Sequence, residues 1–552
     1  MLRGKMSLSE QSPVFVASSF LHDNRTRFSG VAYTPDSIIV GEEGLTRYLQ
    51  AHGVDTFCGS VVDGRFFAFL ELENQYRAFS DPLSQDTLFY YRNGNNWAVS
   101  NSLLGLAEFL YGKVKLTAYR PALLSFFIGK GSGIGAQPIS NRSVFAEINM
   151  LPVGKAFVVE KTTGQSRLEG SVSSITKSFS DLSYEELIST SLNEGISRIR
   201  ALKEHGVSLS SDLTGGYDSR ACSGLMLRAL GDLSQVRLIS NPRKTDDYEV
   251  ATSLAARYGS RLHRNSAKAV TVDTETAYDR WKAGNIGTYL PAYLPSTGMP
   301  TYSQFKANGG MILAKQFAEQ SAHDFAKSLE PIYGHPDNYQ WVKREFLSAF
   351  DDLEIDPSHP HAMDWHYLGF RGRFHYGRAW YTSLVFPIIS PLINPKMVAA
   401  SFKLPRKQLD GGKLSLDILM ALDPVLALHP FDSSAKTFTP SDIEESPFWR
   451  SRGLTLDSGA ATQRYAVFSG RLNAPEKADN TNAHEVSNGC LELMRQDLKT
   501  YSRESALVNE LFSKQQLDSI AKELEGKGKT SGRTRQASHV IACGIVDGLI
   551  AQ

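Results

Sequence analysis

The chain has 552 residues, long enough for two or more domains that each bury their own core. At 41% hydrophobic and 21% charged residues it has the composition of an ordinary soluble globular protein, and its formal net charge of +1 argues against a dedicated nucleic-acid or membrane-surface binder. The four cysteines, Cys58, Cys222, Cys490 and Cys543, lie far apart and form no metal-type pair, so they read as reduced core thiols of a cytoplasmic protein.

In chain order, the segment from Met1 to Phe15 carries basic residues but no apolar core, so no secretory signal is expected. Residues 14 to about 165 are rich in short apolar or alternating runs that predict strands. Examples are Val14–Ala17, Arg65–Leu70, Leu88–Tyr91 and Ala156–Val159, separated by turns such as Asp63-Gly64 and Asn93-Gly94-Asn95. Residues 170–183 are polar and Ser/Thr-rich and suit a linker. From Tyr184 onward helical periodicity dominates, broken by predicted strands near 207–213 and 236–240. The pattern predicts an α+β domain followed by an α/β-to-α domain. The segment 440–485 is polar and irregular and predicts a mobile loop, and Gly526–Arg533 predicts a second, basic loop. No apolar run reaches the length of a membrane span. Val540–Ala551 is the nearest and Asp547 interrupts it, so no membrane partner is expected.

The stretch Ser211-Asp212-Leu213-Thr214-Gly215-Gly216-Tyr217-Asp218-Ser219-Arg220 carries the most chemistry. A predicted strand, Val207–Ser210, precedes it, and a predicted helix beginning Ala221-Cys222-Ser223 follows. A strand, a glycine- and hydroxyl-rich turn and a helix form a phosphate cradle. Gly215 and Gly216 admit close approach of the backbone, and the helix N-terminus directs N–H groups at negative charge. Thr214 and Ser219 add hydroxyls. Asp218 would repel a bare phosphate, which suits it to hold a magnesium ion shared with phosphate oxygens. The plainer alternative is a capped glycine turn ahead of an ordinary helix. No Gly-Lys-Ser/Thr follows, so this is not a Walker loop.

The run Thr214–Ser219 resembles the pyrophosphate loop, usually Ser-Gly-Gly-x-Asp-Ser, of the asparagine synthetase B/β-lactam synthetase superfamily. Upstream, Gly59–Ala68, Ser80–Tyr91, Ala98–Ser102 and Ile148–Gly154 resemble scaffold segments of the glutaminase-type half of that family. The resemblance implies two domains. Residues 1–170 would form an α+β N-terminal Ntn-hydrolase-like (glutamine amidotransferase type 2-like) sandwich. Residues 184–552 would form an α/β adenine nucleotide alpha hydrolase-like synthetase domain with a helical C-terminal part. Family glutaminases use a cysteine at residue 2, freed as an N-terminal nucleophile with its own amine as base. Here residue 2 is Leu2 and no cysteine precedes Cys58, which reads as a core thiol. The expectation is therefore no glutamine hydrolysis, as in the relatives β-lactam synthetase, carbapenam synthetase and the lasso-peptide cyclases.

Further matches extend the resemblance to about residue 440. Val236–Ser240 is similar to the family strand whose backbone and serine contact adenine, which assigns nucleotide contacts to Ile239 and Ser240. Thr245–Ala255 is similar to its Asp-Glu-x-x-x-Ala helix, where Asp246 and Asp247 read chiefly as helix caps. His263, at the next strand end, reads as structural. Lys306–Leu313 is the counterpart of the second family signature. It puts Gly309 and Gly310 on the phosphate side, but Met311 stands where an acid is expected, and Glu319 or Asp324 is the substitute acid to consider. Lys315 is a further charge for pyrophosphate. Arg371, Arg373 and Arg378 flank His375 and Tyr376, either as a basic helix face or as an anion clamp. Phe386–Val398 is similar to a family packing segment. Lys413 and Lys436 fall where the family has lysines over the active site, which suits a reaction that develops charge on pyrophosphate and on a tetrahedral oxyanion.

The resemblance implies an enzyme using ATP and Mg2+ to adenylate a small-molecule or peptide carboxylate and to form an amide bond with a non-glutamine amine. Peptide macrocyclisation of the lasso type and small-molecule ring closure in natural-product biosynthesis both fit. Two alternatives stay open: an ammonia-using amidotransferase acting on a surface-polysaccharide sugar acid, and a degenerate binding protein without adenylation. No nucleic-acid partner is expected, and the sequence leaves a homodimer or a biosynthetic partner protein open.

Overall fold

The computed structural model describes residues 14–126, 128, 138–242, 244–264, 273–288, 304–307, 321–329, 336–375, 387–450, 463–471, 483–525 and 530–550. The N-terminal half contributes β1 (Val16–Ser18), β2 (Arg27–Tyr33), β3 (Ser37–Val40), β4 (Asp63–Glu71), β5 (Gln75–Ser80), β6 (Phe89–Asn93), β7 (Asn96–Ser100), β8 (Ile148–Met150), β9 (Lys155–Glu160) and β10 (Ser166–Gly170). The predicted strands near 14–17, 65–70, 88–91 and 156–159 are all present. β6 and β7 are joined by Gly94-Asn95, with Asn93 opposite Asn96 and Gly94 at φ 57°. This is the left-handed turn that matches the twist of a two-residue hairpin.

β1-β7-β6-β8 form an antiparallel sheet, and β10-β9-β5-β4-β2-β3 form a second, larger one. Alternation along β4 shows how they stack. Phe67 and Phe69 point inward to meet Phe15, just ahead of β1, and Tyr90, Trp97 and Val99 of the smaller sheet. Phe66, Ala68 and Leu70 point outward under Leu45, Tyr48 and Phe57 of two covering helices, Gly41–His52 and Val54–Ser60. Because both faces are covered, β4 is buried along its whole length except Glu71. Helix Leu103–Leu110 lies on the far side of the smaller sheet. The half is thus a four-layer sandwich: helices, sheet, sheet, helix.

The second half is organised by a parallel sheet of β11 (Ser208–Asp212), β12 (Val236–Ser240), β13 (Leu262–Arg264), β14 (Gln304–Ala307) and β15 (Ile388–Ile389), in spatial order β13-β12-β11-β14-β15. The chain lays strands outward on one side of β11 and then returns to build the other side. The order therefore reverses between β11 and β14. Helix Tyr217–Leu230 connects β11 to β12, and helix Thr245–Arg257 connects β12 to β13. Helices dominate the rest, ending in Ala483–Glu504, Ala506–Leu511, Lys514–Glu525 and Thr530–Ile550. Among the described residues no helix is long and apolar enough to cross a membrane.

Three expectations need correction. The segment 440–485 contains helices Pro440–Glu444 and Pro447–Arg450, and then a strand, β16 (Ala466–Ser469). β16 pairs in parallel with β3 and becomes the seventh strand of the large N-terminal sheet. The path is tight there: a Cβ on Gly44 would stand 2.4 Å from the Phe468 carbonyl oxygen. Residues 530–533, expected in a basic loop, open the last helix. The expected linker 170–183 contains a short helix, Ser174–Lys177, whose Ile175 is buried.

The halves share one core. The largest apolar cluster runs from Tyr33, Phe89 and Leu103 through Leu209 and Leu225 to Phe305. Polar pins reinforce the seam. Arg198 pairs with Asp63 at 2.7 Å and lies 4.2 Å over the Tyr33 ring. The buried Arg373 donates to the carbonyls of Ser84 (3.0 Å) and Leu151 (3.1 Å) in the sandwich and to Gly369 (3.3 Å) on its own side.

Candidate functional site

β11 ends at Asp212, and the predicted loop follows at the carboxyl end of the central strand, beside the point where strand order reverses. In open α/β sheets that crevice is where ligands bind. Two contacts hold its floor. The Ile239 carbonyl accepts from the Leu213 amide at 2.9 Å, tying β12 to the loop. Lys306 on β14 pairs with Asp212 at 2.6 Å, spanning the reversal. Ser240, at the end of β12, is buried, and its hydroxyl has no hydrogen-bond partner among the described residues.

The loop is braced from within. The Thr214 amide donates to Ser219 Oγ at 3.0 Å, the two hydroxyls are 2.8 Å apart, and the Gly216 amide donates to Thr214 Oγ1 at 3.2 Å. The hydroxyls expected to face a phosphate thus hold the turn. Gly216 is the N-cap of helix Tyr217–Leu230, and no side chain caps that end. Its first-turn amides therefore rely on other acceptors. Gly215 must be glycine: a Cβ there would stand 2.4 Å from Asp432 Cβ.

Residues 426–438 press onto this turn, and aromatic packing fixes them. The Tyr217 ring stacks on Phe438 at 5.2 Å and meets Phe431 edge-on at 5.0 Å. The Tyr217 hydroxyl donates to the Lys436 carbonyl at 2.6 Å. The buried Arg220 places its guanidinium 3.8 Å over the Phe431 ring and donates to the carbonyls of Leu426 (3.0 Å), His429 (2.8 Å) and Pro430. Burial lowers the Arg220 pKa to about 10. Lys436 is brought to the loop as expected, and Asp432 grips its ammonium at 2.7 and 2.9 Å.

Asp218 is half-buried. Desolvation raises its pKa to about 6, with Lys436 pulling the other way, so the carboxyl is ionised at neutral pH and protonates in mild acid. The Gly215 amide donates to Asp247 Oδ1. Asp247 therefore contacts the loop, and helix Thr245–Arg257 has no side-chain cap. Capping was the main role expected of Asp246 and Asp247, and the geometry corrects it for Asp247.

Other candidates separate. Lys413 pairs with Asp417 on its own helix at 3.0 Å, and Asp417 also accepts from Tyr184 at 2.8 Å; among the described residues no hydrogen bond or ion pair joins Lys413 to the loop. Arg373 is a seam pin. Asp324 is exposed and engaged with Ser321 and Lys327 at a helix start, and His263 is exposed. Gly309, Gly310, Met311, Lys315, Glu319, Tyr376 and Arg378 lie outside the described residues, as does Leu2. Among the described residues no group of three or more His, Cys, Asp or Glu side chains is placed to hold a metal ion.

Cys58 lines a separate pocket of about 390 Å3 on the sandwich, with Arg77, Phe79, Lys155 and Glu169. Burial raises its thiol pKa, the opposite of what a nucleophile needs. The other three cysteines are free and buried. Sequence reasoning read Asp247 chiefly as a cap and gave no site role to Asp432, Arg220, Phe431 or Phe438. The Asp432–Lys436 spacing of four residues was the one readable signal among them. Comparison with models of known protein families and with curated proteins gives no match.

Proposed function

We propose that this chain is an ATP-dependent amide ligase that adenylates a substrate carboxylate and joins it to an amine not drawn from glutamine, in the manner of the asparagine synthetase/β-lactam synthetase group. The observation that carries this reading is the Thr-Gly-Gly-Tyr-Asp-Ser turn at the carboxyl end of β11, beside the strand-order reversal, with Lys436 docked against it. The four-layer sandwich upstream supports it, because that layering suits an Ntn-like domain. The residues fit a polyphosphate: a helix N-terminus without a side-chain cap, a glycine crowded on its Cβ side, and a lysine and an arginine close by.

ATP would supply the activating adenylyl group. A carboxylate oxygen bonds to the α-phosphorus as pyrophosphate leaves, and an amine then takes the acyl carbon as AMP leaves and the nitrogen loses a proton. In this scheme the loop amides and Lys436 carry charge on the leaving pyrophosphate. Asp218 is the carboxylate that would share magnesium with phosphate oxygens. The buried Ser240 hydroxyl is a donor free to bind the base. Lys413 is held by Asp417 in this arrangement.

The test is ATP–pyrophosphate exchange with a panel of carboxylic acids, including peptides, run beside Asp218→Ala. Exchange that depends on one acid class and is lost in the variant is the expected result. Absence of both exchange and ATP binding in the wild type overturns the reading.

A further inference from the structure

All three amides of the turn already have acceptors. Thr214 and Gly216 use hydroxyls of the loop itself, but Gly215 uses a carboxylate from another helix, Asp247. An N–H aimed at a carboxylate oxygen is aimed at an anion, and a carboxylate oxygen has the charge and bond length of a phosphate oxygen in such a contact. Asp247 sits in the first turn of its own helix, whose N-terminus has no side-chain cap, and its carboxylate makes this bond to the loop. Across the loop, Asp432 does the equivalent to the cation, neutralising Lys436. The turn therefore has one carboxylate on its amide and another on its lysine.

We propose that Asp247 is a resident competitor for the anion position of this loop: its carboxylate holds the Gly215 amide until a polyphosphate displaces it. This rests on the reading of the 214–219 loop as a polyphosphate site. Two anionic oxygens cannot share one N–H without repulsion, so a phosphate that takes the Gly215 amide must first break the Gly215–Asp247 bond. The contact thereby sets affinity. It weakens binding of every anion and favours polyanions that meet several donors at once over single phosphate or sulfate ions. On release it restores the empty loop to a satisfied state, which speeds departure of the product.

The experiment is calorimetric titration of the full chain with inorganic pyrophosphate in metal-free buffer, for the wild type, Asp247→Ala and Asp247→Asn, each first checked by thermal melting. The expected result is measurable wild-type binding, about tenfold tighter in Asp247→Ala, the size expected when one charge-assisted hydrogen bond no longer has to be broken. Asp247→Asn, which keeps an acceptor but no charge, falls between. Equal or weaker binding in both variants, with the wild type still binding, overturns the proposal and makes Asp247 a brace of the loop. Absence of pyrophosphate binding in all three proteins overturns the polyphosphate reading itself, and the competitor with it.

Discussion

Two turns in this molecule are made from the same ingredients and end in opposite roles. Asp81–Thr87 follows β5 and reads Asp-Pro-Leu-Ser-Gln-Asp-Thr; Leu213–Ser219 follows β11 and reads Leu-Thr-Gly-Gly-Tyr-Asp-Ser. In the first turn the aspartate faces inward. Asp81 accepts from the amides of Leu83, Gln85 and Asp86 at 3.2, 3.1 and 3.2 Å, and Ser84 takes a left-handed backbone at φ 50°. Arg65 and Arg373 then close over it, and every polar residue of the turn is buried. In the second turn Asp218 stays half-open, and a glycine amide finds its acceptor on a different helix. A turn whose aspartate takes up its own amides and is then sealed is architecture; a turn with an amide whose acceptor comes from another helix can exchange it.

Substitutions should separate the two roles. Arg373→Ala leaves two buried carbonyls across the seam, those of Ser84 and Leu151, without their donor, and should lower stability by about 3–5 kcal/mol, read as a shifted urea midpoint or as insoluble protein. A variant that melts like the wild type would remove the seam role. Asp218→Ala should do the reverse. Pyrophosphate exchange falls about a hundredfold while the melting temperature holds or rises, because burial already disfavours the ionised carboxyl. Wild-type exchange should likewise fall as pH drops through about 6, where that carboxyl protonates; a flat profile counts against Asp218 as a ligand.

Gly215→Ala comes next. Its methyl group collides with Asp432, so the 430–436 segment must move, at a cost of about 2 kcal/mol and with weakened pyrophosphate binding. Unchanged binding would show that the clamp is not needed. The gentlest test is pH alone. Burial, reinforced by the charge of Asp86, raises the pKa of Asp81 to about 7, against about 4 unfolded. The folded state therefore holds a proton that the unfolded chain has lost. Its stabilising contribution is complete below pH 4 and declines as pH rises towards 7, by at most about 1.4 kcal/mol per pH unit. Asp81→Asn should flatten that slope, and an identical slope in the variant would assign it to other groups.

Much of the central sheet was legible, because Val207-Ser208-Leu209-Ser210 and Val236-Arg237-Leu238 alternate apolar and polar residues over strand length and the glycine turn between strand and helix has few alternatives. The environment of the turn was not. An acid in the first turn of a helix gives the same local pattern whether it caps that helix or reaches a neighbouring loop, so Asp247 read as a cap. Arg373 read as part of a basic helix face or of an anion clamp, since nothing local to Phe370–Phe374 announces that two carbonyls from the sandwich will enclose it. β16 was hidden for a related reason. A four-residue edge strand in a polar segment carries little periodicity, and its pairing with β3 is set by a surface more than four hundred residues earlier in the chain.

That last strand has a consequence for synthesis. Until residues 466–469 leave the ribosome, β3 stands as an open edge whose amides and carbonyls can pair with any extended chain nearby. The sandwich, first to be made, stays unfinished through translation of the whole parallel sheet. A nascent chain of this protein should therefore need shielding at β3 well after its first half has collapsed, and truncations that stop short of β16 should be prone to pair with one another.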